Sequence, residues 1–162
     1  MGQSKLTLQV LSAYLPYGVK VYDTIYQMSR PLIGHSVQRF MTLGIFPESE
    51  KLLLRPLSDL TTEIEHNGER FVPIENLIKA DNKVIVSNYV SDGSKAITIT
   101  ITYKLMGDTF TDFIINRNTV DNTDYRYVQQ LLEWHFDLFS LLDSGDALPL
   151  TDKLIELNSN KS

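Results

Sequence analysis

The sequence contains no cysteine, and that one absence removes disulfides, thiolate metal sites, iron–sulfur clusters and cysteine nucleophiles together. Glycine is sparse: the 8 glycines form neither GxGxxG nor a P-loop pattern, so those phosphate-cradling devices are excluded. No apolar run approaches the ~18 residues that a membrane span requires. Met1-Gly2-Gln3-Ser4-Lys5-Leu6 does not open a signal-peptide stretch, and Leu6 stands where the myristoylation pattern needs Ser or Thr. Positive charge is in deficit, with 15 Lys and Arg against 20 Asp and Glu and a net charge of −5. The basic residues are scattered, which disfavours nucleic-acid binding by phosphate neutralisation. Internal repeats and low-complexity tracts are also missing.

What remains is ordinary globular composition, 43% hydrophobic and 22% charged over 162 residues. A chain of that length buries a sizeable core as one domain. The expectation is a single α+β domain over residues 1–157, followed by a disordered polar tail at 158–162.

Local signals place the elements. Leu6, Leu8 and Val10 alternate as a strand would, yet Leu8, Leu11 and Leu15 share a helical face with Thr7 available as N-cap. The cap favours a short helix, stopped by Pro16. Val19-Lys20-Val21-Tyr22 alternates as a strand. Residues 24–50 are broken up by Pro31, Gly34, Gly44 and Pro47. Within them Ser36 to Phe46 reads as a strand or as a helical turn and a half, and a strand is expected. Leu57, Leu60 and Ile64 share one side of a predicted short helix opened by Pro56 and ended by Asn67-Gly68. Pro73 to Lys79 repeats the pattern with Ile74, Leu77 and Ile78.

Three β-branched runs, Val84 to Val90, Lys95 to Leu105 and Thr109 to Ile115, predict an antiparallel meander over about residues 84–115. Asp92-Gly93 suits a two-residue hairpin loop, which pairs Val86 with Ile99 and Val84 with Ile101. Gly107-Asp108 closes the second hairpin and pairs Ile101 with Ile114 and Leu105 with Phe110. Ile97, Ile99, Ile101, Tyr103 and Leu105 then face inward. The strongest expectation is a long apolar helix from about Asp124 to Leu142, with Gly145 past its end. Val128, Leu131, Leu132, His135, Leu138, Phe139 and Leu142 form its main stripe. Tyr127, Trp134, Phe136 and Leu141 extend the apolar circumference, so either the domain or a second copy must cover it. Residues 149–155 add one further turn.

Candidate chemistry is thin. Glu65, His66 and Glu69, with Glu63 nearby, would neighbour one another on a continuous helix and could hold a cation, but Asn67-Gly68 breaks that geometry. His135 lies between Trp134 and Phe136, near Asp137 and Ser140. A Ser-His-Asp triad cannot form at i, i+2 and i+5 of one helix, and a histidine bonded to a backbone carbonyl is the plainer reading. A general base supported by a distant carboxylate remains the alternative. Glu133 and Asp137, at i and i+4, place two carboxylates on one helix face, either for acid–base work or as a solvated edge. His135, Glu133, Asp137 and His66 are therefore the candidate site residues, with no catalytic, metal or cofactor set assigned and no cofactor expected. Eight tyrosines, Tyr14, Tyr17, Tyr22, Tyr26, Tyr89, Tyr103, Tyr125 and Tyr127, suit interfaces as well as cores.

Three blocks carry a resemblance. They are residues 11–22 (LSAYLPYGVKVY), residues 53–64 continuing to Phe71-Val72-Pro73-Ile74, and residues 131–142 (LLEWHFDLFSLL) with Gly145. They resemble small uncharacterised proteins of phages, prophages and mobile regions of gut Bacteroidetes, a family without assigned function. The likeness spans both ends and the middle, whereas residues 24–50 and the meander are generic. It implies a bacterial or phage-infected cytoplasm and an accessory role, and carries no site residue onto this chain. The leading expectation is a non-enzymatic protein acting through protein contacts or self-association, away from membranes and nucleic acid. The alternatives are a small enzyme with a site near His135 and a weak nucleic-acid binder.

Overall fold

A computed structural model describes residues 4–32, 34–79, 84–93, 96–105, 108–116 and 125–151, with side-chain surroundings for 4–32, 34–77, 108–109 and 125–151. The chain is α+β. Its backbone contacts gather into two compact units, one of Met1–Pro56 with Leu132–Ser162 and one of Leu57–Leu131.

The first unit begins with helix α1 (Leu8–Tyr14), where the Thr7 hydroxyl accepts the Val10 N–H at 3.2 Å. Leu11 and Tyr14 face inward from it and are fully buried. A 3-10 turn, Leu15–Tyr17, carries Pro16 near its start and ends at Gly18, whose φ of +66° is a conformation glycine adopts at no steric cost. Strands β1 (Lys20–Asp23), β2 (Met28–Pro31) and β3 (Glu50–Leu54) then pair antiparallel in the order β2-β1-β3. The strand order ends with a short segment near the C-terminus, Ala147–Pro149, which pairs parallel to β3 with Leu53 opposite Leu148. Leu52, Leu53 and Leu54 are all buried because β3 is central and covered on both faces.

Helix α2 (Gly34–Leu43) lies between β2 and β3 in sequence. The strand expected at Ser36–Phe46 is thus corrected: Ser36 and Phe40, four residues apart, are the buried positions, and that is helical spacing. Phe46 meets Phe40 edge-on at 5.8 Å after the chain leaves the helix. The apolar residues that suggested a strand, Met41, Leu43 and Ile45, stay on the surface.

In the second unit a 3-10 helix, Leu57–Thr61, replaces the longer predicted helix. Strands β4 (Ile64–His66) and β5 (Glu69–Phe71) follow and pair antiparallel with His66 opposite Glu69. Asn67 at φ +52° and Gly68 at φ +83° form the two-residue loop between them. Asn67-Gly68 therefore reverses a strand rather than ending a helix. Helix α3 (Pro73–Lys79) matches its prediction, with Ile74 and Leu77 buried. Strands β6 (Val84–Gly93), β7 (Ala96–Leu105) and β8 (Asp108–Asn116) form the expected meander.

The meander's registers differ from the predicted ones. Ile99 pairs with Val90 and Ile101 with Asn88, since the first hairpin closes at Gly93 and Ala96. On the other side Leu105 pairs with Asp108 and Ile101 with Asp112. Bulges at Ile85/Ser87 and Ile99/Thr100 shift both ladders. The inward assignment of Ile97 to Leu105, the helical turn expected beyond Thr151 and the tail at 158–162 lie outside the described residues or side chains.

The long apolar helix is the largest correction. Helix α4 (Tyr125–Glu133) stops after nine residues, and a four-residue helix α5 (Leu141–Ser144) follows only after an irregular stretch. Much of the apolar surface of the segment is buried all the same: Leu131, Leu132, Trp134, Phe136, Leu138 and Leu141 are buried within one chain, while Tyr127, Val128, Phe139 and Leu142 are half-buried. Gly145, at φ +77°, caps α5 as the sequence suggests for the end of the segment, its N–H donating to the Leu141 and Leu142 carbonyls.

Candidate functional site

Helix α4 ends because the backbone of residues 135–138 finds better partners than another helical turn. The His135 N–H reaches back only three residues, to the Leu132 carbonyl at 3.0 Å, and His135 itself adopts φ +63°. From there the chain runs beside the residue that follows β3. The Arg55 N–H donates to the His135 carbonyl at 2.7 Å, the Asp137 N–H donates to the Arg55 carbonyl at 2.9 Å, and Phe136 bridges Arg55 in parallel. Tyr14 fixes the next step: its hydroxyl donates to the Phe136 carbonyl at 2.8 Å and accepts the Leu138 N–H at 3.2 Å. Burial drives the Tyr14 phenol far above the ordinary tyrosine range; the Leu138 bond opposes that shift and the Asp137 charge adds to it.

Asp137 completes this clasp. Its carboxylate is fully buried and accepts the N–H groups of Leu141 and Leu142, both at 2.9 Å, and of Phe139 at 3.3 Å. It satisfies the backbone donors that open α5, the service that an N-cap side chain gives a helix. The His135 ring is half-buried, with Nε2 lying 2.7 Å from the Tyr17 carbonyl oxygen, which as an acceptor requires that nitrogen to carry the proton. Both groups thus serve the main chain.

The other candidates are placed apart. Glu133 is exposed at the end of α4, and since the helix stops there it shares no helical face with Asp137. His66 is half-buried at the loop end of β4, opposite Glu69. Adjacent strand residues point to opposite faces, so Glu65 and His66 diverge. Glu65 instead meets its cross-strand partner Arg70 at 3.3 Å. Among the described residues no group of three or more His, Asp or Glu is arranged to hold a metal ion.

Two polar clusters escaped the sequence reading. In the first, Glu50 is buried and its Oε1 receives Arg30 at 2.6 Å and the Ser36 hydroxyl at 3.0 Å. Asp23 stands opposite Glu50 across the strand pair and accepts the N–H groups of Ile25 and Tyr26. These residues are far apart in sequence, and only the β1–β2–β3 register brings them together. In the second, Asp146 accepts hydrogen bonds from the Ser4 hydroxyl at 2.8 Å, the Lys5 N–H at 2.7 Å, the Leu6 N–H and the Ser144 hydroxyl. Partial burial pushes the Asp146 carboxyl up, but the bonds from Ser144, Ser4, Lys5 and Leu6 outweigh it and hold the group below its ordinary range.

The surface feature that stands out is apolar. Ile25 is 71% exposed, Tyr26 74%, Met28 46%, Met41 65%, Leu43 59% and Ile45 61%. All six fall between residues 25 and 45, whereas Leu8 and Tyr125 are the other large apolar side chains so exposed among the described residues. The chain flanking these two segments is tied together, the Thr24 N–H and hydroxyl both bonding the Ser49 carbonyl, at 2.8 and 3.0 Å. Sequence patterning missed the cluster since apolar residues are assigned to the core by default.

No protein-family model, curated protein or solved structure matches this chain. No helix among the described residues is long and apolar enough to cross a membrane.

Proposed function

We propose that this chain is a non-enzymatic accessory protein of a phage or mobile element that works by binding another protein. The observation carrying the reading is the exposed apolar group Ile25, Tyr26, Met28, Met41, Leu43 and Ile45. Single exposed apolar residues need no explanation, but a concentration of them marks a contact site. Tyrosine and methionine are also the residue types enriched at protein interfaces. The polar residues that suggested chemistry point the same way: Asp137 and His135 are bonded to backbone groups of their own unit. The sequence resemblance to phage and mobile-element proteins supports the accessory role.

The test is affinity capture from host lysate with the wild-type chain beside a Tyr26→Ser, Met41→Ser, Ile45→Ser variant. The reading expects one protein recovered by the wild type and lost by a variant that unfolds at an unchanged temperature. Equal recovery by both, or no specific recovery by either, contradicts it.

A further inference from the structure

We propose that Asn67 is a site of spontaneous covalent modification, forming isoaspartate within the β4–β5 hairpin. The Gly68 backbone nitrogen attacks the Asn67 side-chain carbonyl carbon, a new C–N bond closes a succinimide ring, and the bond to Nδ2 breaks. The displaced amide leaves as ammonia, taking the Gly68 N–H proton. Water then opens the ring at either carbonyl: at the side-chain one it gives aspartate, at the main-chain one isoaspartate. Water is the sole co-reactant.

Residues 67–68 are the one Asn-Gly step in the sequence, and the structure leaves it open. Both residues are exposed, and a Cβ built on Gly68 meets nothing within 4 Å, so no side chain packs over the turn at that position. In a two-residue hairpin the closing pair, here His66 and Glu69, takes the inter-strand bonds and leaves the second loop N–H outside the ladder. Among the described contacts neither that nitrogen nor the Asn67 amide is engaged. The closed turn fixes Asn67 at φ +52° and Gly68 at φ +83°, and the reaction is proposed to proceed through local opening of that turn. The hairpin has three residues per strand and, among the described residues, pairs with no other strand, and two-stranded pieces of this kind are marginal alone.

The product cannot rebuild the turn. Isoaspartate inserts a methylene into the main chain where two successive positive-φ residues set the register. It also places a new carboxylate between Glu65 and Glu69. Modification therefore converts the closed hairpin to an open one and cannot be reversed by refolding.

The experiment ages the intact chain at mildly alkaline pH and maps its peptides, with isoaspartyl methyl-acceptance as a second readout. A synthetic peptide of residues 62–72 is aged alongside. Asn67 is expected to convert severalfold faster than any other asparagine, more slowly than in the peptide, with isoaspartate the major product. An intact Asn67 after the peptide has fully converted, or earlier conversion at another asparagine, overturns the proposal.

Discussion

Replacing Asp137 tests the clasp most quantitatively. The carboxylate is fully buried and makes two good bonds, to the Leu141 and Leu142 N–H groups at 2.9 Å, and a weaker one to Phe139. Hydrogen bonds to a charged acceptor contribute about 1.5–3 kcal/mol each, and a buried donor left unsatisfied costs about 1–3 kcal/mol. Asp137→Ala orphans both strong donors and is expected to cost about 3–5 kcal/mol. Asp137→Asn keeps one acceptor oxygen but turns an NH2 group toward one of the donors. It is expected to lose about 1.5–3 kcal/mol, or roughly 5–10 °C in unfolding temperature for a chain of this size. The assay is denaturant unfolding followed by Trp134, the only tryptophan and a buried residue of the same unit, so its emission reports this part of the chain. If both variants unfold within about 0.5 kcal/mol of the wild type, the range of an ordinary surface substitution, Asp137 does not hold the segment together.

Other expectations follow from the same contacts. Tyr14→Phe removes the hydroxyl that bonds Phe136 and Leu138 and should cost about 1–3 kcal/mol in the Trp134 assay, the lower part of the range applying if Leu138 keeps its 3.1 Å contact with the Phe136 carbonyl; an unchanged midpoint refutes the role. Asp146 has a depressed folded-state pKa, so its contribution is fully present above the unfolded value of about 3.9 and is lost as pH falls through the folded one. The stability gap between wild type and Asp146→Asn should therefore be flat above about pH 5 and close in more acidic solution, while a gap that widens toward acid contradicts the sign. Arg30→Met leaves Glu50 as a buried carboxylate without its cation, and because Arg30 is 29% exposed the loss should fall below the ~3–5 kcal/mol of fully buried pairs. Adding Glu50→Gln should restore part of it, and strict additivity of the two changes would show that the pair does not interact.

The parts of the fold legible in the sequence are those set by neighbours in the chain. Thr7 caps α1 and Pro73 opens α3 because capping and proline geometry act within one turn. The three meander strands were legible from β-branched alternation, but alternation fixes the face and not the position along the strand. Hence the partner of Ile99 is Val90 rather than Val86, which the ladder itself skips between Ile85 and Ser87. Asn67-Gly68 marks a place for positive φ, yet whether it ends a helix or turns a hairpin depends on Glu65 meeting Arg70.

The C-terminal segment departs from its local helical pattern for a related reason. Residues 124–142 satisfy every local helical criterion, and what interrupts them comes from far away: Tyr14 lies 122 residues from Phe136, and Arg55 follows a central strand. Long-range partners override propensity. The same contacts explain why the candidate site was only half legible. His135 and Asp137 stood out as polar groups in an apolar stretch, but their bonds go to Tyr17 and to Leu141 and Leu142. The exposed cluster at residues 25–45 left no sequence signal, since its side chains are those expected in a core.

The most direct test of the broken helix compares His135→Gly with His135→Ala. Both remove the imidazole and its bond to Tyr17, so their difference isolates the backbone. In a helix interior alanine is more stable than glycine by about 1 kcal/mol. At φ +63° the order reverses, because a Cβ in the left-handed region costs about 1–2 kcal/mol that glycine avoids. The clasp predicts that the glycine variant unfolds at higher denaturant than the alanine variant, whereas the opposite order would restore the continuous helix and contradict the arrangement of Tyr14, Arg55 and Asp137 around its break.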